Sequence, residues 1–297
     1  MDNKDSCAVR KWLKKCDDTN IAPWLWDFKN ELLINRNNES NNVDNAIIRI
    51  FEWYLNENEY YAGETEETYL AKCIYHVLWD IPMEYLSVKL LDVDVMNSFW
   101  TTYRHAIKLE YTDPGTKRYS GKINKNTFEN LKKNYNDYSA VNEEVVRYGD
   151  IKKFAQLTHT IGNFTAEPKF WNASRYKSTK DFWDSTLVFF YSMERLGFNH
   201  RLYVERYFMH DYCDKDDNYY PKQLWPGHKL PGKFKPGKED IEPFITNVNN
   251  FIERRGKFMV KRLCEILSMK DLSFYMEDKL EKFTLDDMCR DGDTTTA

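Results

Sequence analysis

The sequence predicts a mainly α protein: a single helical domain with at most a small two- or three-stranded β element. Three observations predict it. Gly and Pro are scarce, 11 and 9 of 297 residues, well under the usual combined share of about 12%; tight-turned barrels and sandwiches need more of both. Apolar residues recur at three and four along most of the chain, the period of an amphipathic helix. Aromatic residues are abundant, with 9 Trp, 18 Phe and 20 Tyr. They supply bulk for a sizeable core although 30% of residues are charged.

The elements follow in order. The domain covers 1–288, with a flexible tail over 289–297 (CRDGDTTTA). N-terminal helices occupy 6–60. Val9, Trp12 and Leu13 share one face of the first, Pro23 starts a second carrying Trp24, Trp26, Phe28, Leu32 and Leu33, and Val43 to Leu55 form the third. A core region spans 65–200. It opens with a helix over 65–79 that Pro82 ends. Residues 86–95, LSVKLLDVDV, partly alternate and read as a strand, and 159–168 is its candidate partner. Helices follow over 98–107, 142–161 and 179–196. A Pro- and Gly-rich loop covers 221–243, with Pro-Gly at 226, 231 and 236 and a basic run of Lys222, Lys229, Lys233, Lys235 and Lys238. Pro-Gly marks successive turns. C-terminal helices fill 247–288, chiefly 247–268.

Charge narrows the function. With 43 basic against 47 acidic residues and a net charge of −4, the balance argues against a dedicated whole-surface nucleic-acid binder, which is usually basic. No apolar run reaches the roughly 18 residues of a membrane span, and the start, MDNKDSCAVRKWLKKC, lacks the apolar stretch of a signal peptide. The six cysteines, at 7, 16, 73, 213, 264 and 289, form no C-x-x-C pair. They read as free, mostly buried thiols in a reducing cytoplasm. The richness in Asn, Lys, Tyr and Ile suits an AT-rich bacterial or phage genome.

Residues 157–175, LTHTIGNFTAEPKFWNASR, hold the one segment with a chemical hint. Gly162 is expected at a positive φ or against a close backbone neighbour, and Asn163 beside it should bond main chain. Asp181 and Asp184 lie three apart, on one face of a helix. Asn163, Asn172, Arg175 and Asp184, with His159 or His76 at the rim, form the candidate binding cluster. Arg175 would meet an anionic group, and Asn172 or Asp184 a metal or ribose. His210 to Asn218 reads as a solvated acidic turn, since the sixth and twelfth positions of a calcium loop are not Gly and Glu. Arg254, Arg255, Lys257, Lys261 and Arg262 read as a solvated basic helix face.

Two family resemblances attach to these residues. His159-Thr160-Ile161-Gly162-Asn163-Phe164-Thr165, with Asn172 nine residues after Asn163, resembles the second half of the HNH nuclease motif in its GmrSD-type restriction endonuclease form. That resemblance implies that the first Asn orients a catalytic His and the second ligates a divalent metal. The upstream D/E-H-I-x-P element, source of the general base, has no counterpart: His76 and His105 lie in other contexts. A second set covers about 70–200: Y-H-V-L-W-D-I-P at 75–82, Y-S-G-K-I-N at 119–124, T-I-G-N-F-T-A-E-P at 160–168, N-x-x-R at 172–175 and D-F-W-D-S-T-L at 181–187. It is similar to a large bacterial family known as a domain of unknown function, with departures at Lys122 and Tyr176. Together these give the expected function: a bacterial or phage cytoplasmic protein that is regulatory or interaction-based and non-catalytic. Its partner would be a protein, nucleic acid or nucleotide. The alternative is a divergent HNH-like, metal-dependent nuclease or toxin in phage defence. A divalent metal is implied only by that alternative.

Overall fold

The computed structural model of the chain describes residues 4–28, 65–87, 91–99, 102, 151–169, 171, 183–215, 218–224 and 237–289. The third N-terminal helix, Asn172, Arg175 and the Pro-Gly repeats at 226 and 231 lie outside these. The architecture is mainly α with one small sheet, as the sequence predicts.

Helix α1 (Lys4–Asp18) turns Val9, Trp12, Leu13 and Cys16 into the core, a single stripe at helical spacing. It packs along α2 (Tyr69–Trp79). Thr68 caps α2 by accepting from the Ala71 amide at 3.3 Å, and Asp80 in the left-handed region ends it. A 3-10 turn (Thr65–Glu67) replaces the start expected for that helix. Where the second N-terminal helix is expected, the described residues form a 3-10 turn (Pro23–Leu25) that carries Trp24 into the core, Phe28 beyond it is helical and buried, and Leu32 and Leu33 lie outside the described residues.

The expected strand 86–95 divides in two. Met83–Ser87 is the short helix α3 and Leu91–Val95 is the strand β1, with 88–90 outside the described residues. Strict alternation begins at Leu91, so the period, not the apolar content, marks the strand. β1 pairs antiparallel with β2 (Phe164–Pro168), from Leu91 opposite Pro168 to Val95 opposite Phe164. Between them in sequence lies α4 (Ile151–Leu157), followed by a 3-10 turn (Ile161–Asn163). The helix expected to run to 161 stops early, because Thr158 and Thr160 turn their hydroxyls back onto Phe154 and Leu157 carbonyls.

After β2 come α5 (Trp183–Ser192) and α6 (His200–Arg206). Next is α7 (Ile241–Ile266), 26 residues long, which begins six residues before the expected 247. A 3-10 turn (Lys238–Asp240), closed by Asp240 accepting from the Gly237 amide at 2.6 Å, leads into it, and Pro243 is tolerated because its missing N–H lies in the first turn. Two short helices, α8 (Ser273–Glu277) and α9 (Leu285–Met288), close the described chain. α7 is the axis of the molecule: α2, α4, α9 and the 3-10 turns at Pro23–Leu25 and Ile161–Asn163 all pack on it. Five of the six cysteines are buried and all are free thiols.

Candidate functional site

Fully buried polar side chains, Thr160, Asn163 and Arg255, meet at the Ile161–Asn163 turn. Gly162 lies against the backbone of α7. A Cβ placed on it would come within 1.9 Å of the Ile252 carbonyl oxygen and 2.9 Å of the Gly256 nitrogen. Of the two expectations for Gly162, the close backbone neighbour is the one met; Gly197 is the glycine with a positive φ among the described residues.

Asn163 has no solvent exposure, and its amide is bonded at every position. Its oxygen accepts from the Asn97 amide at 3.1 Å and from Asn97 Nδ2 at 3.3 Å. Its Nδ2 donates to the carbonyls of Asn97 at 3.0 Å and Thr158 at 2.8 Å. Met96 N already donates to the Asn163 carbonyl at 2.8 Å. The side chain thus continues the β1–β2 ladder one step past its end, with the Asn97 backbone as its partner. Asn97 Nδ2 also donates to the Tyr212 hydroxyl at 3.1 Å.

Arg255 holds the other side of the turn. Its guanidinium is fully buried. Nη1 donates to the carbonyls of Gly162 at 2.7 Å and Phe164 at 2.8 Å, while Nε and Nη2 donate to the Tyr207 carbonyl at 3.0 and 2.8 Å. The Trp79 ring centroid lies 6.0 Å away, within cation–π range. Burial pushes Arg255 down to about 10, so it stays protonated at neutral pH. Arg255 is therefore not part of a solvated face: α7 turns it inward because it lies three residues after Ile252 and four before Met259, both fully buried. Arg254 leaves the expected face too. It forms a two-bond pair with fully buried Asp211, at 2.8 and 2.9 Å. The run from His210 departs from the expected solvated acidic turn in its first part, Asn218 at its end is exposed, and Asp216 and Asp217 lie outside the described residues. Its Asp211, Tyr212 and Cys213 are core, while Asp214 and Lys215 are exposed.

The other candidates sit on different elements. Asp184, at the start of α5, is fully buried and accepts from the Ser185 amide at 2.7 Å and from the Leu224 amide at 3.2 Å. It anchors the segment that leads toward the Pro-Gly loop. His76 on α2 donates from Nδ1 to the Ile81 carbonyl at 2.9 Å. His159 is partly exposed, and its Nδ1 lies 2.7 Å from the Thr65 hydroxyl. Thr65 in turn donates to Glu66 Oε2 at 2.8 Å, so the hydroxyl accepts from His159 and Nδ1 carries the proton. Thr65 and Glu66 are both buried. Sequence reasoning missed this imidazole–hydroxyl–carboxylate series because 94 residues separate Thr65 from His159.

Among the described residues, no three His, Cys, Asp or Glu side chains are grouped so as to hold a metal ion, and no helix is long and apolar enough to cross a membrane. No protein family, curated protein or solved structure matches the chain.

Proposed function

We propose that this chain is a non-catalytic regulatory or interaction protein of a bacterial or phage cytoplasm, in which the I-G-N-F segment is the structural latch of a helical scaffold. The observation that carries the reading is the saturation of Asn163. All four hydrogen-bonding positions of its amide are used inside the protein. No capacity is left to orient a catalytic imidazole, the role that the HNH resemblance implies for it. The fully buried Arg255 gives the same segment a second structural duty.

A second reading, the divergent metal-dependent nuclease, is favoured by the His159–Thr65–Glu66 series. A carboxylate acting through a hydroxyl fixes the imidazole with its proton on Nδ1, the tautomer a general base needs for work at Nε2. One assay separates the readings: purified chain with plasmid DNA or RNA in the presence of magnesium or manganese. The scaffold reading expects cleavage no greater than in a protein-free control, and expects affinity purification to recover a stoichiometric partner. Metal-dependent cleavage that disappears in His159→Ala, with thermal stability unchanged, would overturn it in favour of the nuclease.

A further inference from the structure

The turn at Tyr219 carries two histidines that neither reading uses. Tyr219 has φ 50, a left-handed backbone that disfavours an aromatic residue. Something must hold it there. His200, at the start of α6, donates from Nε2 to the Tyr219 carbonyl at 2.9 Å. His210 stands edge-on to the Tyr219 ring, with centroids 5.5 Å apart at 88°. One histidine therefore grips the backbone and the other the side chain of the same strained residue. Each has a buried Nδ1 with no hydrogen-bond partner among the described residues. With its Nε2 proton committed to Tyr219, His200 is neutral only if Nδ1 is bare. Protonating Nδ1 would create a donor with no acceptor among the described residues, in a side chain with no solvent exposure.

We propose that His200 and His210 form an acid-sensitive latch that holds the Tyr219 turn docked when they are neutral and releases it when they are protonated. The surroundings support the direction. Burial lowers both histidines below 6.5, and it outweighs the Tyr219 carbonyl and Glu194, which favour protonated His200, and Glu205, which favours protonated His210. Tyr191 of α5 faces His200 edge-on at 5.5 Å. Arg201 lies 5.4 Å from the Tyr219 ring and pairs with Glu205 at 3.0 Å, which divides that carboxylate's charge between the two. An unfolded histidine titrates near 6.5. The open turn therefore binds more protons than the docked one, and the latch is fully set above 6.5 and weakens as pH falls from there toward the depressed values. Release is local. The Lys222 amide stays on the Tyr212 carbonyl at 2.8 Å and the Leu224 amide on Asp184, and neither bond involves a histidine.

The test is hydrogen exchange of the full chain, read by mass spectrometry on peptides covering 208–222 and 248–263. It runs from about pH 7.5 to about pH 5, the range in which histidine is the unperturbed side chain that changes charge. After correction for intrinsic rates, protection over 208–222 should fall by about tenfold for each unit by which docking depresses a histidine, while 248–263 holds. His200→Gln keeps an amide donor for the Tyr219 carbonyl without a titration, and should flatten most of that dependence. If His200→Gln does not fold, His210→Phe, which keeps the ring contact, together with imidazole titration by nuclear magnetic resonance, carries the test. Protection independent of pH in the wild type, equal loss in both peptides, or His200 and His210 titrating at or above 6.5 would each overturn the latch.

Discussion

Arg255 is a cation with no carboxylate among its bonded partners: three backbone carbonyls, of Tyr207, Gly162 and Phe164, take its four hydrogen bonds. Carbonyl dipoles converging on one guanidinium compensate its desolvation only if all stay in place. Arg255→Met should therefore lower stability in urea by about 3–5 kcal/mol, since it leaves buried acceptors unmet. Arg255→Lys should lose nearly as much, because a point-like ammonium cannot span both sides of the fork. A loss below about 1 kcal/mol in either variant would show that the carbonyls find other donors. Asn163→Ala should cost about 2–4 kcal/mol for the same reason. Asn163→Asp should be worse, with a carboxylate set against the Asn97 and Thr158 carbonyls. At this scale the sequence was half legible. Asn163 as a main-chain binder follows from Gly-Asn turn chemistry. Arg255 was hidden by its neighbours, since Arg254-Arg255-Gly256-Lys257 looks like a solvated face. The signal was present all the same: counting from Ile252 and Met259 puts Arg255 on the apolar stripe, where a charge demands a buried partner.

Helix α7 and the Ile161–Asn163 turn touch backbone to backbone, and two glycines allow it. A Cβ placed on Gly256 would lie 3.5 Å from Gly162 Cα and 3.1 Å from Trp24 Cβ. Gly162→Ala would drive a methyl into the Ile252 carbonyl, which belongs to a helix and cannot move alone. It should destabilise by more than the roughly 1–3 kcal/mol of ordinary overpacking, seen as a large fall in melting temperature with Arg255 still present. Gly197 is the control: at φ 90, with nothing within 4 Å of a built Cβ, Gly197→Asn should change stability by no more than about 1 kcal/mol. If both variants behave alike, the close crossing does not constrain the fold. Elements with strict periods were the legible ones: α1, α2 and the strand 91–95. Boundaries fixed by tertiary demand were not. The segment opens at Pro23 with a 3-10 turn, and its Trp24 reaches α8, standing edge-on to Phe274 at 6.4 Å. Similarly, Asp17 at the end of α1 caps α8 by accepting from the Ser273 amide at 2.7 Å, a link across 256 residues that no local pattern announces.

For the molecule as a whole, the mainly α class could be read from composition and periodicity. The convergence of distant segments on α7 could not, because it depends on pairings such as Gly162 with Gly256 that lie far apart in sequence. That convergence predicts a gradient of stability. Opening α7 requires breaking the Arg255 bonds to the turn together with the contacts of α2, α4 and the Ile161–Asn163 turn. Its amides over 248–263 and those of 161–168 should therefore exchange only through the largest, near-global opening. The 193–202 region has the opposite character: Leu196 is 77% and Leu202 54% exposed, and its 3-10 turn rests on few buried side chains. It should exchange by small local openings, several kcal/mol less costly than global unfolding. Native-state exchange at rising denaturant distinguishes the two. The 248–263 and 161–168 amides should share one steep denaturant dependence, and 193–202 should show almost none. Separate dependences for 161–168 and α7 would mean that the turn and the helix are not one cooperative unit. In that case the saturated Asn163 amide would no longer argue that the I-G-N-F segment serves the scaffold.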